Sequence, residues 1–251
     1  MRMVQVLAVA GLMATASAAY AAPADVGTAV AAKARPAEAV KLDESRKPKD
    51  VLKFLGLEKG DRALDLMTGS GYYAEIMGRA VGPQGAVVAW EPANFYDDAG
   101  KKNWAELGTR VPNVRLLVSQ PTEINLAPNS FDFVLMHMVY HDLYWESEKY
   151  KFPRLDPDAA LKKIYAATKP GGIVGVVDHV AAAGGDTRQV VDKLHRIDPA
   201  VIRADFERAG FVFDGESDLL RNQSDDHSKL VFDPSVRGKT DRVVYRFRKP
   251  A

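Results

Sequence analysis

Short apolar runs alternate with stretches of helical periodicity from residue 47 to the end of the chain. The runs predict seven strands: RALDLM (62–67), AVVAWE (86–91), VRLLVSQ (114–120), FDFVLMHM (131–138), GIVGVVDH (172–179), FVFDGESDLL (211–220) and RVVYRFRK (242–249). Between them, apolar residues at helical spacing predict helices at 48–57, 71–82, 97–111, 156–172 and 199–210. This alternation is typical of a doubly wound, mostly parallel α/β sheet. The last two strands have no full helix between them, so we expect an antiparallel last strand.

The first residues follow a different pattern. MRM is basic, VQVLAVAGLMATASA is apolar, and small residues at Ala19 and Ala21 form an A-x-A cleavage site. This pattern predicts a signal peptide over residues 1–21 and a periplasmic or secreted mature protein with no stable membrane insertion; an uncleaved anchor is the alternative. Residues 22–45 are rich in Ala, Pro and Lys, which predicts a linker or flexible arm before a domain at 46–251.

The amino-acid composition argues against a nucleic-acid partner and against sites that depend on cysteine. The formal net charge is +1, and loss of Arg2 with the signal peptide would make basic and acidic residues equal in number. A nucleic-acid partner would require a basic surface, so we expect none. The chain has no cysteine, which excludes disulfides, thiolate zinc sites and cysteine nucleophiles.

Ligands of doubly wound sheets lie at the carboxyl ends of the strands. The segment DLMTGSGYYAEI (65–76) lies at the end of the first strand and places glycines at 69 and 71 ahead of a helix. Such glycines let a ligand approach the backbone, and the helix offers free N–H groups to it. Glu91 ends the second strand and can accept both hydroxyl groups of a ribose.

Two cofactors fit this loop. GSGYYA satisfies the G-x-G-x-x-A dinucleotide pattern, so NAD is one of them. The bulky Tyr72 and Tyr73, and the negative charge of Asp65, disfavour a pyrophosphate but would accept an amino group. A tight turn that binds no ligand is the structural alternative for the glycine pair.

Four motifs in order carry a family resemblance. DLMTGSGYY, VGPQGAVVAWE, NSFDFVLMHMVYHDL and LKKIYAATKPGGIVGVVD resemble the class I S-adenosylmethionine-dependent methyltransferases. The segments LHRIDP and ESDLLRN resemble a group of exported, poorly characterised predicted methyltransferases. The resemblance implies a Rossmann-like methyltransferase fold and S-adenosylmethionine as the cofactor.

The resemblance also implies roles for individual residues. Asp65, Gly69 and Gly71 would surround the methionine part of the cofactor, and Glu91 would hold the ribose. Gln120 would lie beside the adenine, and His137 and Val139 would line the wall near the sulfonium. Two positions depart from the family pattern, since Met67 replaces a glycine and Gln120 replaces an aspartate.

Most of the histidines fall near the same predicted edge. The candidate catalytic residues are His137, His141, Asp178 and His179, and His195 precedes the next helix. A histidine there can be a base for an O- or N-acceptor, whereas each one alone can equally be structural. Two or three imidazoles with Asp142 or Asp178 are the alternative of a divalent-metal site, although no compact metal motif is present.

These observations predict methyl transfer from S-adenosylmethionine to a small molecule. An aromatic group, Tyr140, Tyr144 and Trp145, follows the fourth strand, where the acceptor would enter or where it would pack the core. Two alternatives remain: a methyltransferase-like binding module without methyl transfer, and a His/Asp metal-dependent enzyme on the same fold. The oligomeric state is not indicated by the sequence.

Overall fold

A computed structural model describes residues 22–251, so the predicted signal peptide lies outside the described residues. The helices are α1 (Val26–Val30), α2 (Ala37–Val40), α3 (Asp43–Arg46), α4 (Pro48–Leu55), α5 (Tyr72–Val81), α6 (Asp98–Arg110), α7 (Pro157–Ala167), α8 (Thr187–Leu194) and α9 (Pro199–Arg208). The strands are β1 (Arg62–Leu66), β2 (Ala86–Pro92), β3 (Val114–Ser119), β4 (Phe131–His137), β5 (Thr168–His179), β6 (Val212–Ser217) and β7 (Arg242–Arg248). Each predicted strand is thus present.

The strands form one seven-stranded sheet in the order β3-β2-β1-β4-β5-β7-β6. The five strands from β3 to β5 are parallel, and β7 is antiparallel to both of its neighbours, β5 and β6. The order reverses between β1 and β4, which is where ligands bind in such sheets. The predicted fold, with its antiparallel last strand, is therefore confirmed.

Two hydrophobic layers cover the sheet. One contains α1, α4, α5 and α6, and the other contains α7 and α9. The strands β1 and β4 are buried on both faces. Polar and charged side chains are therefore found where the central strands end, because the core on either face of the sheet is apolar. Asp65, Glu91 and His137 lie at this edge.

The amino-terminal arm differs from the prediction of a linker. Asp25 caps α1 through the Thr28 amide, and Val26 and Ala29 are buried against α5 and α4. The amide of Lys59 donates to the Ala22 carbonyl oxygen at 2.8 Å, so the segment is held from its first described residue. Its helices have four or five residues, too short to produce a visible apolar period.

Two other segments differ from the predicted elements. β5 starts at Thr168, directly after α7, so the Lys-Pro-Gly-Gly stretch assigned to the end of a helix is extended. Helix α8 was not predicted, because only Val191 in it is buried and its pattern is otherwise polar. Within residues 22–251, no helix has both the length and the apolar content that a membrane crossing requires.

Candidate functional site

The loop between β1 and α5 brings two glycines to the sheet edge for different reasons. Gly69 has φ +57, and a Cβ added there would have no heavy atom within 4 Å. Gly71 has φ +80, and its added Cβ would lie 2.5 Å from Leu107 Cδ1 and 3.0 Å from Trp104 Cη2. Gly69 therefore leaves space at the edge, whereas Gly71 allows α6 to pack against the loop.

Met67 adopts a backbone conformation that favours glycine. Its φ is 48, in the left-handed region. A side chain there costs about 1 kcal/mol or more. The glycine expected from the family pattern is thus absent, but the loop retains the conformation that a glycine would give it. The Met67 side chain is partly buried and packs against the α7 side of the core, so its departure from the pattern leaves the path of the loop intact.

Two buried carboxyl groups lie beside this loop, and neither forms an ion pair with a basic residue among residues 22–251. Thr68 Oγ1 donates to Asp65 Oδ2 at 2.6 Å, and the Gly69 amide donates to Glu91 Oε2 at 2.7 Å. Burial raises the pKa of Asp65 and that of Glu91 to about 7 each, against the effect of these hydrogen bonds. Buried acids with displaced pKa values and no ion pair are typical of sites that bind a ligand.

A cavity of about 220 Å³ opens at the loop, and we call it the loop cavity. Its wall includes Arg46, Asp65, Met67, Tyr72, Tyr73 and His137. Burial lowers the pKa of Arg46, and its guanidinium lies 4.4 Å from the centre of the Tyr72 ring. Within the described residues no carboxylate lies within ion-pair distance of Arg46. The cavity therefore combines a free cation with a buried acid.

His137 contributes an unpaired nitrogen to the loop cavity. Its Nε2 is buried and has no hydrogen-bond partner in the described part of the chain. The ring lies 4.5 Å from that of Tyr73, and burial lowers the pKa of His137 well below its ordinary value. Its imidazole is consequently neutral at physiological pH and is a weak base, so it suits a hydrogen bond to a ligand better than proton abstraction.

The other three catalytic candidates form a separate group beyond His137. Asp178 is fully buried, and its Oδ1 lies 2.7 Å from His141 Nδ1 while its Oδ2 accepts from the His141 amide. Burial would lower the pKa of His141, but Asp178 and Asp142 outweigh it and raise that pKa to about 9. The His179 ring lies 6.0 Å from that of His141, and burial lowers its pKa to about 3. None of these three residues lines the loop cavity.

A second cavity, of about 300 Å³, lies on the α7 side of the sheet, and we call it the apolar cavity. Its wall includes Leu66, Trp90, Pro121, Thr122, Met136 and Ala160, and Leu66 also lines the loop cavity. Gln120 is exposed and lines neither cavity, although the two residues that follow it line this one. The side chain expected beside the adenine is therefore not at a cavity wall.

The aromatic residues after β4 are mainly part of the core. Tyr140 is fully buried, and its hydroxyl donates to Asp205 Oδ2 at 2.6 Å. The Tyr144 hydroxyl donates to the same oxygen at 2.5 Å. These tyrosines fix α9 to the segment after β4, so the packing alternative is correct for them.

Comparison with known proteins finds a family likeness in the central part of the chain. Residues 64–176 match the protein-family model described as "Methyltransferase domain". This segment is therefore similar to methyltransferase domains. It runs from β1 to β5 and contains the glycine loop, Glu91 and His137, whereas Arg46 and Asp178 lie outside it.

Sequence relatives and solved structures show a likeness to the same class of proteins. The demethylmenaquinone methyltransferase of Staphylococcus aureus strain JH9 is 30% identical over 128 residues, which cover 50% of this chain and 46% of that protein. The chain thus spans about half the length of the curated relatives it matches. A SAM-dependent methyltransferase from Aquifex aeolicus aligns with a TM-score of 0.58 at 22% identity, covering 85% of this chain and 98% of that one. Phosphoethanolamine N-methyltransferase 2 of Haemonchus contortus, solved in complex with S-adenosyl-L-methionine, aligns with a TM-score of 0.57 at 18% identity, covering 82% and 53%.

The sequence analysis did not identify Arg46 as a residue that lines the loop cavity. It lies 19 residues before Asp65, directly after the segment 22–45 that we expected to be a linker or flexible arm, and no motif marks it. Tyr72 and Tyr73 were considered only as obstacles to a pyrophosphate. Their hydroxyls donate to Asp43 Oδ1 and to the Arg46 carbonyl oxygen, so they also attach α3 to α5.

Proposed function

We propose that this protein transfers a methyl group from S-adenosylmethionine to a small molecule. The observation that carries the proposal is the pair of buried carboxyl groups at the glycine loop. Asp65 lines the loop cavity and Glu91 accepts from the Gly69 amide, and among residues 22–251 neither has a basic ion-pair partner. A ligand that brings an ammonium group and ribose hydroxyls would satisfy both carboxyls. The bound cofactor would supply an electrophilic methyl group on a sulfonium.

Two acidic residues are proposed to bind the polar parts of the cofactor. Asp65 Oδ2 and Glu91 Oε2 already accept hydrogen bonds from the loop, and the remaining acceptor capacity of each carboxylate is available to a ligand. Binding would favour the ionised form of both groups, because an ammonium or a hydroxyl donates to a carboxylate more strongly than to a carboxylic acid.

Arg46 is proposed to bind the carboxylate of the methionine part. Its guanidinium reaches the loop cavity from α3 and is free of other carboxylates among residues 22–251. An arginine can hold a carboxylate by two parallel hydrogen bonds. The stacking on Tyr72 fixes the plane of the guanidinium before the ligand arrives.

The apolar cavity is proposed to accept the adenine ring. Leu66 connects it to the loop cavity, and Trp90 in its wall directly precedes Glu91, the proposed ribose ligand. Replacing Ala160 by Phe would fill this cavity from α7. The adenine ring could then no longer be buried there, so cofactor binding should weaken by about tenfold or more. Ala166→Phe is the matched control, because Ala166 is exposed on the same helix.

The acceptor is proposed to lie on the side of His137 and His179. A methyl transfer is an in-line displacement, so it depends on positioning and on exclusion of water. The neutral His137 ring leaves this wall without a positive charge that would oppose a sulfonium, and its Nε2 can orient an acceptor. His141 is held by Asp178 in a fixed orientation behind this wall.

A dinucleotide fits the same loop less well. Asp65 and Glu91 would place two carboxyl groups near a pyrophosphate, and electrostatic repulsion would oppose its binding. The side chains of Tyr72 and Tyr73 are directed to the arm and line the loop cavity. We therefore favour S-adenosylmethionine over NAD.

Export remains part of the proposal. The pattern of residues 1–21 supports a cleaved signal peptide and a periplasmic or secreted protein, and the likeness to exported predicted methyltransferases agrees with it. A small-molecule acceptor, rather than nucleic acid, agrees with the absence of a basic excess in the sequence. Detection of a mature amino terminus at Ala22 in the periplasmic fraction would test the export.

A thermal-shift experiment tests cofactor choice. S-adenosylmethionine and S-adenosylhomocysteine should raise the melting temperature of the protein in a saturable way, following RT ln(1 + [L]/Kd), and NAD should not. If NAD alone stabilises the protein, the loop binds a dinucleotide and the proposal is wrong. If none of the three does so at millimolar concentration, the binding of an adenosyl cofactor is excluded.

A further inference from the structure

Three side chains with metal-binding atoms meet outside the loop cavity. They are His141 and Asp142, which follow β4, and His195, which directly follows α8. One ligand atom from each lies within 4.8 Å of the other two. We infer that His141, Asp142 and His195 form a binding site for a divalent transition-metal ion, with Zn²⁺ as the expected occupant.

The distances suit a shared ion after small rotations of the side chains. Asp142 Oδ1 lies 3.5 Å from His141 Nε2 and 3.8 Å from His195 Nδ1. Ligands of a tetrahedral ion with bonds of about 2.1 Å are about 3.4 Å apart. The carboxylate is therefore placed centrally between two imidazoles, as a three-ligand site requires.

Asp178 supplies an independent indication. It contacts Nδ1 of His141, so Nε2 is the nitrogen that remains for an ion. Metal-binding histidines commonly donate their other N–H to a buried carboxylate, which fixes the tautomer and the ring orientation. Asp178 also accepts from the His141 backbone amide, so both the ring and the chain of this residue are fixed.

The backbone at the end of α8 sets the position of His195. Its φ of 49 is the left-handed geometry of a helix C-cap, in which its amide donates to the Val191 carbonyl oxygen. Its ring is flanked by Trp145 at 5.2 Å and Phe232 at 5.2 Å between ring centres. Its ring nitrogens have no hydrogen bond to another described residue, and the aromatic neighbours limit the ring to a few orientations.

The donor set selects the class of ion. Two imidazoles and one carboxylate suit Zn²⁺, Co²⁺, Fe²⁺ or Ni²⁺, whereas Mg²⁺ and Ca²⁺ prefer oxygen ligands alone. Zn²⁺ is bound more tightly than Co²⁺ or Fe²⁺ by most sites of this kind. Three protein ligands would leave a coordination position for water or for an oxygen of a small molecule.

Titration of the untagged, cofactor-free protein with Co²⁺ tests this inference. Visible absorption bands should grow to one ion per chain and disappear when Zn²⁺ is added. Asp142→Asn and His195→Ala should each weaken Co²⁺ binding by at least about tenfold. The readout does not depend on methyl transfer, so the metal site and the proposed function can fail separately.

Two further variants separate a built site from incidental binding. Asp178→Asn removes no ligand and should still weaken Co²⁺ binding by about tenfold to a hundredfold, because His141 loses its fixed orientation. His227→Ala is the control, since His227 also lies beside a carboxylate, at 3.1 Å from Asp241 Oδ2, and should bind Co²⁺ as the wild type does. The inference is overturned if the wild-type protein gives no saturable bands, or if His195→Ala and Asp142→Asn both bind with wild-type affinity.

Discussion

At the scale of single residues, the candidate cofactor site is defined by groups that folding leaves unsatisfied. In the described part of the chain, Asp65 and Glu91 are buried without an ion pair, and His137 Nε2 is buried without a hydrogen bond. Each of these costs stability in the cofactor-free protein. Such a loss of stability is expected at positions where the residue type serves ligand binding rather than the stability of the fold.

The first prediction concerns Asp65 and pH. Its pKa of about 7 lies above the ordinary value of 3.8, so its contribution to stability is complete below pH 4 and is lost as pH rises through 7. The loss between pH 5 and 8 is on the order of 3 kcal/mol. Asp65→Asn cannot ionise, so its melting temperature relative to the wild type should increase from pH 5 to pH 8.

The same variant should lose stabilisation by S-adenosylhomocysteine, because an amide does not attract the ammonium group. Thr68 can still donate to the Asn oxygen, so the fold is expected to persist. A melting-temperature difference that is the same at pH 5 and pH 8 would mean that Asp65 does not titrate in this range.

The second prediction separates the two glycines of the loop. Gly69→Ala should cost about 1 kcal/mol of stability, because the added methyl group meets only the unfavourable φ. Gly71→Ala should cost about 3 kcal/mol or more, because its methyl group also meets Leu107 and Trp104. Urea denaturation measures both changes.

Ligand binding should rank these variants differently. Gly69→Ala should weaken S-adenosylhomocysteine binding more than its small stability change suggests, since its methyl group occupies the space at the sheet edge. Equal losses of stability in the two variants would contradict the separate roles given to these glycines.

At the scale of elements, the arm is part of the site. Asp43 in α3 accepts from both terminal nitrogens of the Arg35 guanidinium at 2.7 Å and from the Tyr72 hydroxyl. Tyr72 begins α5, and Arg46 ends α3. The arm therefore connects to the helix that follows the glycine loop, and it carries the free cation of the loop cavity.

The third prediction tests this connection. Asp43→Ala would leave the buried Arg35 guanidinium without its carboxylate and should cost about 2 kcal/mol, less than for a fully buried pair because Asp43 is partly exposed. It should also weaken cofactor binding through displacement of α3. Glu38→Ala, which breaks the exposed pair with Lys41, is the control and should change stability by about 0.5 kcal/mol or less. Unchanged binding in Asp43→Ala would show that the arm does not shape the site.

The arm also shows where sequence patterns stop being informative. The strands could be predicted because most of them contain a short apolar run, and their ends located Asp65, Glu91 and His137. The arm has only two buried apolar residues, Val26 and Ala29, within a single helical turn. Its attachment depends on Asp43 and Arg35, whose partners are distant in sequence and have no periodicity.

Side-chain environment limited the prediction of the site in a similar way. The sequence grouped four catalytic candidates at one edge of the sheet. Their buried surroundings, however, give them different chemical properties. His137 is a weak base in the loop cavity, whereas His141 is paired with Asp178 outside it. Gln120 was selected by position in a family motif, and its exposure on a single turn after β3 cannot be read from that motif.

At the scale of the whole molecule, the sheet brings the residues of the two proposed sites to one edge. β1 carries Asp65, which lines the loop cavity, and β2 carries Glu91, while the segments after β4 and β5 carry the histidine and aspartate side chains beyond them. The reversal of strand order between β1 and β4 leaves space between the helical layers for both sites. The fold thus explains how residues more than 100 positions apart, such as Asp65 and Asp178, come to the same edge.

Calorimetric titration of S-adenosylhomocysteine into wild-type protein and Glu91→Gln is the most direct test of the cofactor site. Wild type should bind one ligand per chain, and Glu91→Gln should bind at least about tenfold more weakly, because an amide accepts from the ribose hydroxyls less strongly than a carboxylate does. The variant should remain folded, since the Gln oxygen can still accept from the Gly69 amide. Because the pKa of Glu91 is raised to about 7, the melting temperature of the variant relative to the wild type should not fall as pH rises through 7. No heat of binding to the wild type at millimolar ligand, or equal affinities in the two proteins, would contradict the account.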